Sequence, residues 1–220
     1  MRQIKNILLS LILLLFVTGC ETDGSGEIKP ALGDSNKVLL LEAMSRNGKF
    51  KSAESFGRLL REASVQRLSM NTLYSPEIPA VNKLAHSGAL IKDDSLNLEE
   101  TLRLASLVNA GQVVGVTVFD SSGYPPLALS CKVMTIKIIG DHYTTRTKFV
   151  RIDLSRKKHK LQFLQFVGVR ELAEIEEEVL ATENHAKAES ALLSKKDFYR
   201  FAAAFIIDEV VEMQKFNKVD

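Results

Sequence analysis

The chain has 220 residues, of which 45% are hydrophobic, with 29 Lys and Arg against 27 Asp and Glu, two cysteines and no tryptophan. So small a charge excess argues against a nucleic-acid or polyanion binder, which would need a strong single-sign field. Two cysteines cannot make a disulfide framework, so a hydrophobic core has to hold the fold together.

Arg2 and Lys5 precede an apolar run from Ile7 to Val17 that only Ser10 interrupts. The run is about eleven residues, whereas a membrane-spanning helix needs roughly twenty. It therefore reads as the charged and hydrophobic regions of an export signal. Val17-Thr18-Gly19-Cys20 follows directly, and this segment resembles the bacterial lipobox. The resemblance implies a diacylglyceryl group on Cys20, cleavage between Gly19 and Cys20, and acylation, for example with palmitate, of the new amine. The alternative is an ordinary cleaved signal that leaves a free thiol at the new terminus. Each buried methylene contributes about 0.8 kcal/mol to membrane partition, so two or three acyl chains would hold the chain durably. Glu21 stands where enterobacterial lipoproteins kept in the inner membrane carry Asp. That points to the periplasmic face of the outer membrane, with the inner membrane as the alternative.

Loss of Arg2 and Lys5 with residues 1–19 leaves 27 basic against 27 acidic residues, formally neutral. Nucleic acid is then disfavoured by charge and by compartment alike. Residues 20–36 read as a lipidated tether rich in Gly, Ser, Asp and Pro. The remainder, 37–220, is expected to form a single globular periplasmic domain.

Val38-Leu39-Leu40-Leu41 is a continuous apolar run that suits a strand covered on both faces. Ser52 is a plausible cap for a helix to about Ser69, along which Phe56, Leu59, Leu60, Ala63 and Leu68 recur at helical spacing. Thr72–Tyr74 is expected as a short strand, Pro79–His86 as a short helix and Ala89–Ile91 as another extended piece. Asn97 with Glu100 has the form of a capping box, opening a helix whose inner face is Leu98, Leu102, Ala105 and Val108. Val113–Phe119 is the strongest strand by β-branched content. After the turn DSSGYPP, a long strand is predicted over Leu127–Ile139. Phe149–Leu154 and Leu161–Val167 are predicted as strands of a hairpin whose tip is the basic run Arg156–Lys160. An acidic helix is expected at about Glu171–Glu183. Ser194 and Asp197 would cap a last helix striped with Phe198, Phe201, Ala202, Phe205, Ile206, Val210 and Met213. This order implies a mixed α/β (α+β) fold. It predicts a single mixed sheet flanked by helices, with early parallel crossovers and late antiparallel hairpins.

The runs VLLLEA, QVVGVTVFD, YPPLAL and LLSKKDFYRFAAAF, spread over residues 37–139 and 192–213, resemble the amino-terminal domain of TolB and the related CsgG and LpoB domains. The resemblance also extends to a group of uncharacterised lipoproteins related to these. It implies a non-enzymatic envelope module that docks on another envelope protein or associates with itself. One alternative is a subunit of an oligomeric CsgG-like outer-membrane secretion channel, formed through a 144–168 hairpin, and another is a cell-wall-modifying enzyme. The chain departs from those relatives between Ile139 and Arg170, where it carries a longer basic segment in place of a short turn.

No catalytic, metal or cofactor constellation stands out. His86, His142, His159 and His185 have no second ligand at metal spacing. Ser121-Ser122-Gly123 lacks the flanks of a nucleophile elbow. Asp93-Asp94 and Glu99-Glu100 suit the favourable end of a helix dipole. Glu176–Glu178 suits a solvated face. Cys131, inside an apolar run, suits a buried small hydrophobe. Arg156–Lys160 is read either as a patch for lipid phosphates or peptidoglycan acids, or as a polar tip that keeps a sheet edge soluble.

Overall fold

In the computed structural model, the residues described are 34–45, 50, 52–68, 70–85, 91–92, 95–140, 142–169 and 182–215. The expected signal peptide, Gly19 and Cys20, most of the tether, and the acidic helix expected at 171–183 (Thr182 and Glu183 apart) lie outside them. The strands are β1 (Asp34–Leu40), β2 (Met44–Ser45), β3 (Asn71–Tyr74), β4 (Ile91–Lys92), β5 (Ser95–Leu96), β6 (Ala110–Ser121), β7 (Ala128–Ile139) and β8 (His142–Asp153). The helices are α1 (Ala53–Arg67), α2 (Pro79–Ala85), α3 (Leu98–Leu107), α4 (Lys157–Phe166), α5 (Thr182–Leu193) and α6 (Lys195–Lys215).

Six strands form one mixed sheet in the order β3-β1-β6-β7-β8, with β2 also on β6. β1 is parallel to β3 and β6, while β6, β7 and β8 run antiparallel in succession. Both parts of the topology predicted from the element order are therefore present. Burial follows position in the sheet. The first nine residues of β6 are buried, β7 alternates buried and half-buried positions, and β8 is exposed over most of its first eight residues. A central strand of mixed connectivity is covered on both faces, whereas an edge strand is not.

One face of the sheet presents Val38, Leu40, Val114, Val116, Leu129, Cys131, Val133, Val150 and Ile152 to α1, α4 and α6, and all of these are buried. The stripe expected on α6 is what buries it, with Phe198, Ala202, Ile206 and Val210 at zero exposure. Edge-on ring contacts tie this layer together, Phe50 to Phe56 at 5.7 Å and Phe163 to Phe201 at 5.6 Å between centroids. Gly57 is required here, because a Cβ would collide with the Tyr74 hydroxyl. The opposite face has a smaller core, in which Val81 of α2 and Leu104 and Ala105 of α3 cover Leu39, Val113, Ile136 and Ile138.

The hairpin predicted over 149–167 is absent. Residues 142–153 form one strand, and 157–166 form helix α4, with the basic run Arg156–Lys160 at the start of that helix and not at a hairpin tip. No β-branched residue lies between Ser155 and Phe166, and Lys, Gln and Leu are good helix formers. The pattern Leu161, Phe163, Leu164, Phe166 also fits a helix, which buries Phe163 and Leu164. β8 begins seven residues before the predicted Phe149, through His142-Tyr-Thr-Thr-Arg-Thr-Lys148, which shows no apolar alternation because that stretch is open to solvent.

Candidate functional site

Those of the residues singled out by the sequence that the structure describes do not converge. Asn97 accepts the Glu100 amide at 3.5 Å, which makes it the expected helix cap, with Glu99 and Glu100 in the first turn of α3. Ser194 accepts the Asp197 amide at 3.2 Å and donates to the Asp197 carboxylate at 2.7 Å. Ser122 serves a turn, accepting from the Tyr124 amide at 3.3 Å. Cys131 is 1% exposed, and burial pushes its thiol up to about 12, so it is an inert core group. His142 is exposed on β8. His86, Asp93, Asp94 and Glu176–Glu178 lie outside the described residues, as does the side chain of His185. Among the described residues no three His, Cys, Asp or Glu side chains gather as a metal site would require.

The polar cluster that sequence reasoning missed sits where β8 gives way to α4. Asp153 Oδ1 accepts from Ser155 Oγ at 2.6 Å and from the Ser155 amide at 3.0 Å, and Oδ2 accepts from Arg151 at 3.1 Å. The Asp153 amide donates to His159 Nδ1 at 3.1 Å. The Ser155 hydrogen bonds, then Arg151, hold the Asp153 carboxyl below the usual carboxylate range. Ser, His and Asp are all present, but the wiring is not that of a nucleophile. Ser155 bonds the carboxylate instead of the imidazole, and Nδ1 of His159 is occupied by a backbone amide. The cluster does what a strand-to-helix junction needs. The Asp-x-Ser spacing at 153–155 was the available signal.

A hollow of about 90 Å³ between α1, α4 and α6 is lined by Leu59, Gln66, Arg67, Phe166 and Arg200 among others. Small-molecule sites run roughly 300–1,000 Å³, so this one is too small to hold such a ligand.

What is left open is a surface. No described strand pairs with the outer edge of β8, which is twelve residues long. Beside it, on the face with the smaller core, α2 and α3 stop short of Tyr143, Thr145, Thr147, Phe149 and Arg151. Phe149 is 72% exposed and stacks on Phe119 at 5.9 Å, across a row in which Thr117, Lys132 and Phe149 stand in register. On the other face β8 is fastened, since Arg146 donates to the Met213 carbonyl at 2.8 Å and Lys148 is paired with Glu209. Nor does any described helix have the length and apolarity to cross a membrane.

Fold and surface together define an α/β domain with one six-stranded mixed sheet in which, among the described residues, part of one face and the outer edge of β8 are uncovered. The sequence matches no family model and no curated protein. Partial structural likenesses exist. The hypothetical protein CT253 from Chlamydia trachomatis aligns over 58% of this chain and 80% of its own, at 12% identity and a TM-score of 0.39. Lipoprotein GNA1162 from Neisseria meningitidis aligns over 55% and 85%, at 11% identity and 0.34. The PelC dodecamer from Paraburkholderia phytofirmans, in a variant form, aligns over 55% and 78%, at 14% identity and 0.31.

Proposed function

We propose that the chain is a membrane-anchored lipoprotein, joined to lipid through Cys20, that works as a non-enzymatic binding or assembly module of the cell envelope. The observation that carries this reading is the open edge and flank of β8. An unpaired strand edge is a template for another strand, and proteins that do not use such an edge blunt it with charge, a bulge, a proline or a cover. Among the described residues β8 carries charge at Arg146, Lys148 and Arg151 but has no bulge, proline or covering strand, and its register with β7 is unbroken over all twelve residues. The partner is an envelope protein or a second copy, and the site is the periplasmic face of the outer membrane. The TolB-like layout read from the sequence adds to this reading.

The anchor is tested by mass spectrometry of the mature amino terminus. A diacylglyceryl adduct on Cys20 is expected, and an unmodified cysteine or an uncleaved leader would remove the address. The module is tested by crosslinking in native membranes, where a discrete higher-mass adduct is expected and recovery of the monomer alone counts against it.

A further inference from the structure

The tether and the tip of the β7–β8 hairpin leave the sheet at the same end. Asp34, where the described chain begins, pairs with Ala110; Gln112 pairs with Lys137; and Ile139 pairs with His142 across the tip. The turn from α3 into β6, which passes through Asn109 at a φ of 53°, is at that end too. Three large apolar side chains stand in solvent there, on both sides of the sheet's end: Leu107 at 56% exposure, closing α3, and Tyr143 at 45% on the side of the smaller core, and Ile139 at 56%, closing β7, on the other. Neither Leu107 nor Ile139 is among the residues of the two cores.

We infer that Leu107, Ile139 and Tyr143 form a foot that rests in the interfacial layer of the lipid bilayer and fixes the orientation of the domain on the membrane. The inference rests on the lipid anchor proposed at Cys20. Thirteen residues separate Cys20 from Asp34. A chain of that length would span about 20 Å root-mean-square as a random coil and reach roughly 50 Å if fully extended. The twelve residues of β7 put the opposite end of the sheet about 40 Å further away. The foot lies within the ordinary span of the tether, while the far end, where Tyr124 is 82% exposed beside Lys195, would reach the bilayer only with the tether nearly taut. An aliphatic pair with an amphipathic tyrosine suits the boundary between headgroups and acyl chains, where a ring can bury its body and keep its hydroxyl wet.

The chain has no tryptophan, so a single introduced indole reports its own surroundings. The Y143W and Y124W variants of the lipidated full-length protein are placed in vesicles of phosphatidylethanolamine and phosphatidylglycerol with brominated acyl chains. Emission from position 143 is expected to shift to the blue and fall about twofold, since interfacial elements sit roughly 5–10 Å into the headgroup and acyl boundary, while position 124 stays unquenched. Ile139→Asp added to Y143W should abolish the quenching while flotation with the vesicles is retained. Flotation with position 143 unquenched, or with position 124 quenched instead, overturns the foot and leaves the anchor intact. If the wild-type chain, expressed with its leader, fails to float, the anchored reading itself falls.

Discussion

The two faces of the sheet are finished differently. On one, α1, α4 and α6 lie across β1 to β8, and the side chains beneath them, from Val38 to Ile152, are sealed from water. On the other, the two short helices α2 and α3 cover β1 and the neighbouring parts of β6 and β7, then stop, so that Phe149 stacks on Phe119 in solvent. The first face holds the fold together. The second is built from strands that the first has already stabilised, and it is free to vary in what it touches. A domain with its larger core on one face can vary the uncovered part of the other at little cost to the fold.

If that division holds, truncation on the closed face is the most damaging single change. Phe198→Ala removes a ring at zero exposure and is expected to cost about 3–5 kcal/mol in urea unfolding. The closed face should also keep Cys131 from reagents. Native protein near neutral pH is expected to react with a thiol probe roughly a thousandfold more slowly than unfolded chain, because attack must await opening of the core. Burial raises the folded thiol's pKa from 9.0 to about 12. The neutral form is therefore preferred in the native state, and this contribution is intact below 9.0 and lost as pH climbs towards 12, which alkaline unfolding would show.

Smaller effects sharpen the contrast. Ser194→Ala removes the cap of α6 and should lower stability by about 1 kcal/mol, read in the same urea titration. Phe149→Ala on the open face should cost less than about 1 kcal/mol, the scale of an exposed ring pair. A loss at Phe149 equal to that at Phe198 would mean that the open face is part of the core and not a surface for contact.

How far the sequence revealed this division depends on which face a residue serves. β1, β6, β7, α1 and α6 were legible because burial against one face or two writes itself into the sequence as apolar runs, alternation or a helical stripe. β8 was half legible. Its second half turns Val150 and Ile152 into the core and was found, while His142–Lys148 carries Thr, Tyr and charge in no period and was passed over. The same strand was then given a false partner, because the spacing of Leu161, Phe163, Leu164 and Phe166 satisfies both a strand and a helix. Only the absence of β-branched residues separated the two. The candidate surface was invisible for a related reason, since an open edge has no side-chain signature. It is defined by which strands lie beside it, and that is settled by topology.

The most direct test of the account places a photoreactive residue in the lipidated chain, in its native membrane, at Thr145 on the open face of β8 or at Glu62 on α1, at the hollow on the closed side. Both positions are exposed. Strong adduct formation from position 145 with little from position 62 is the predicted result. Equal yields from the two positions, or adducts from position 62 alone, would contradict the assignment of contact to the open face and edge of β8.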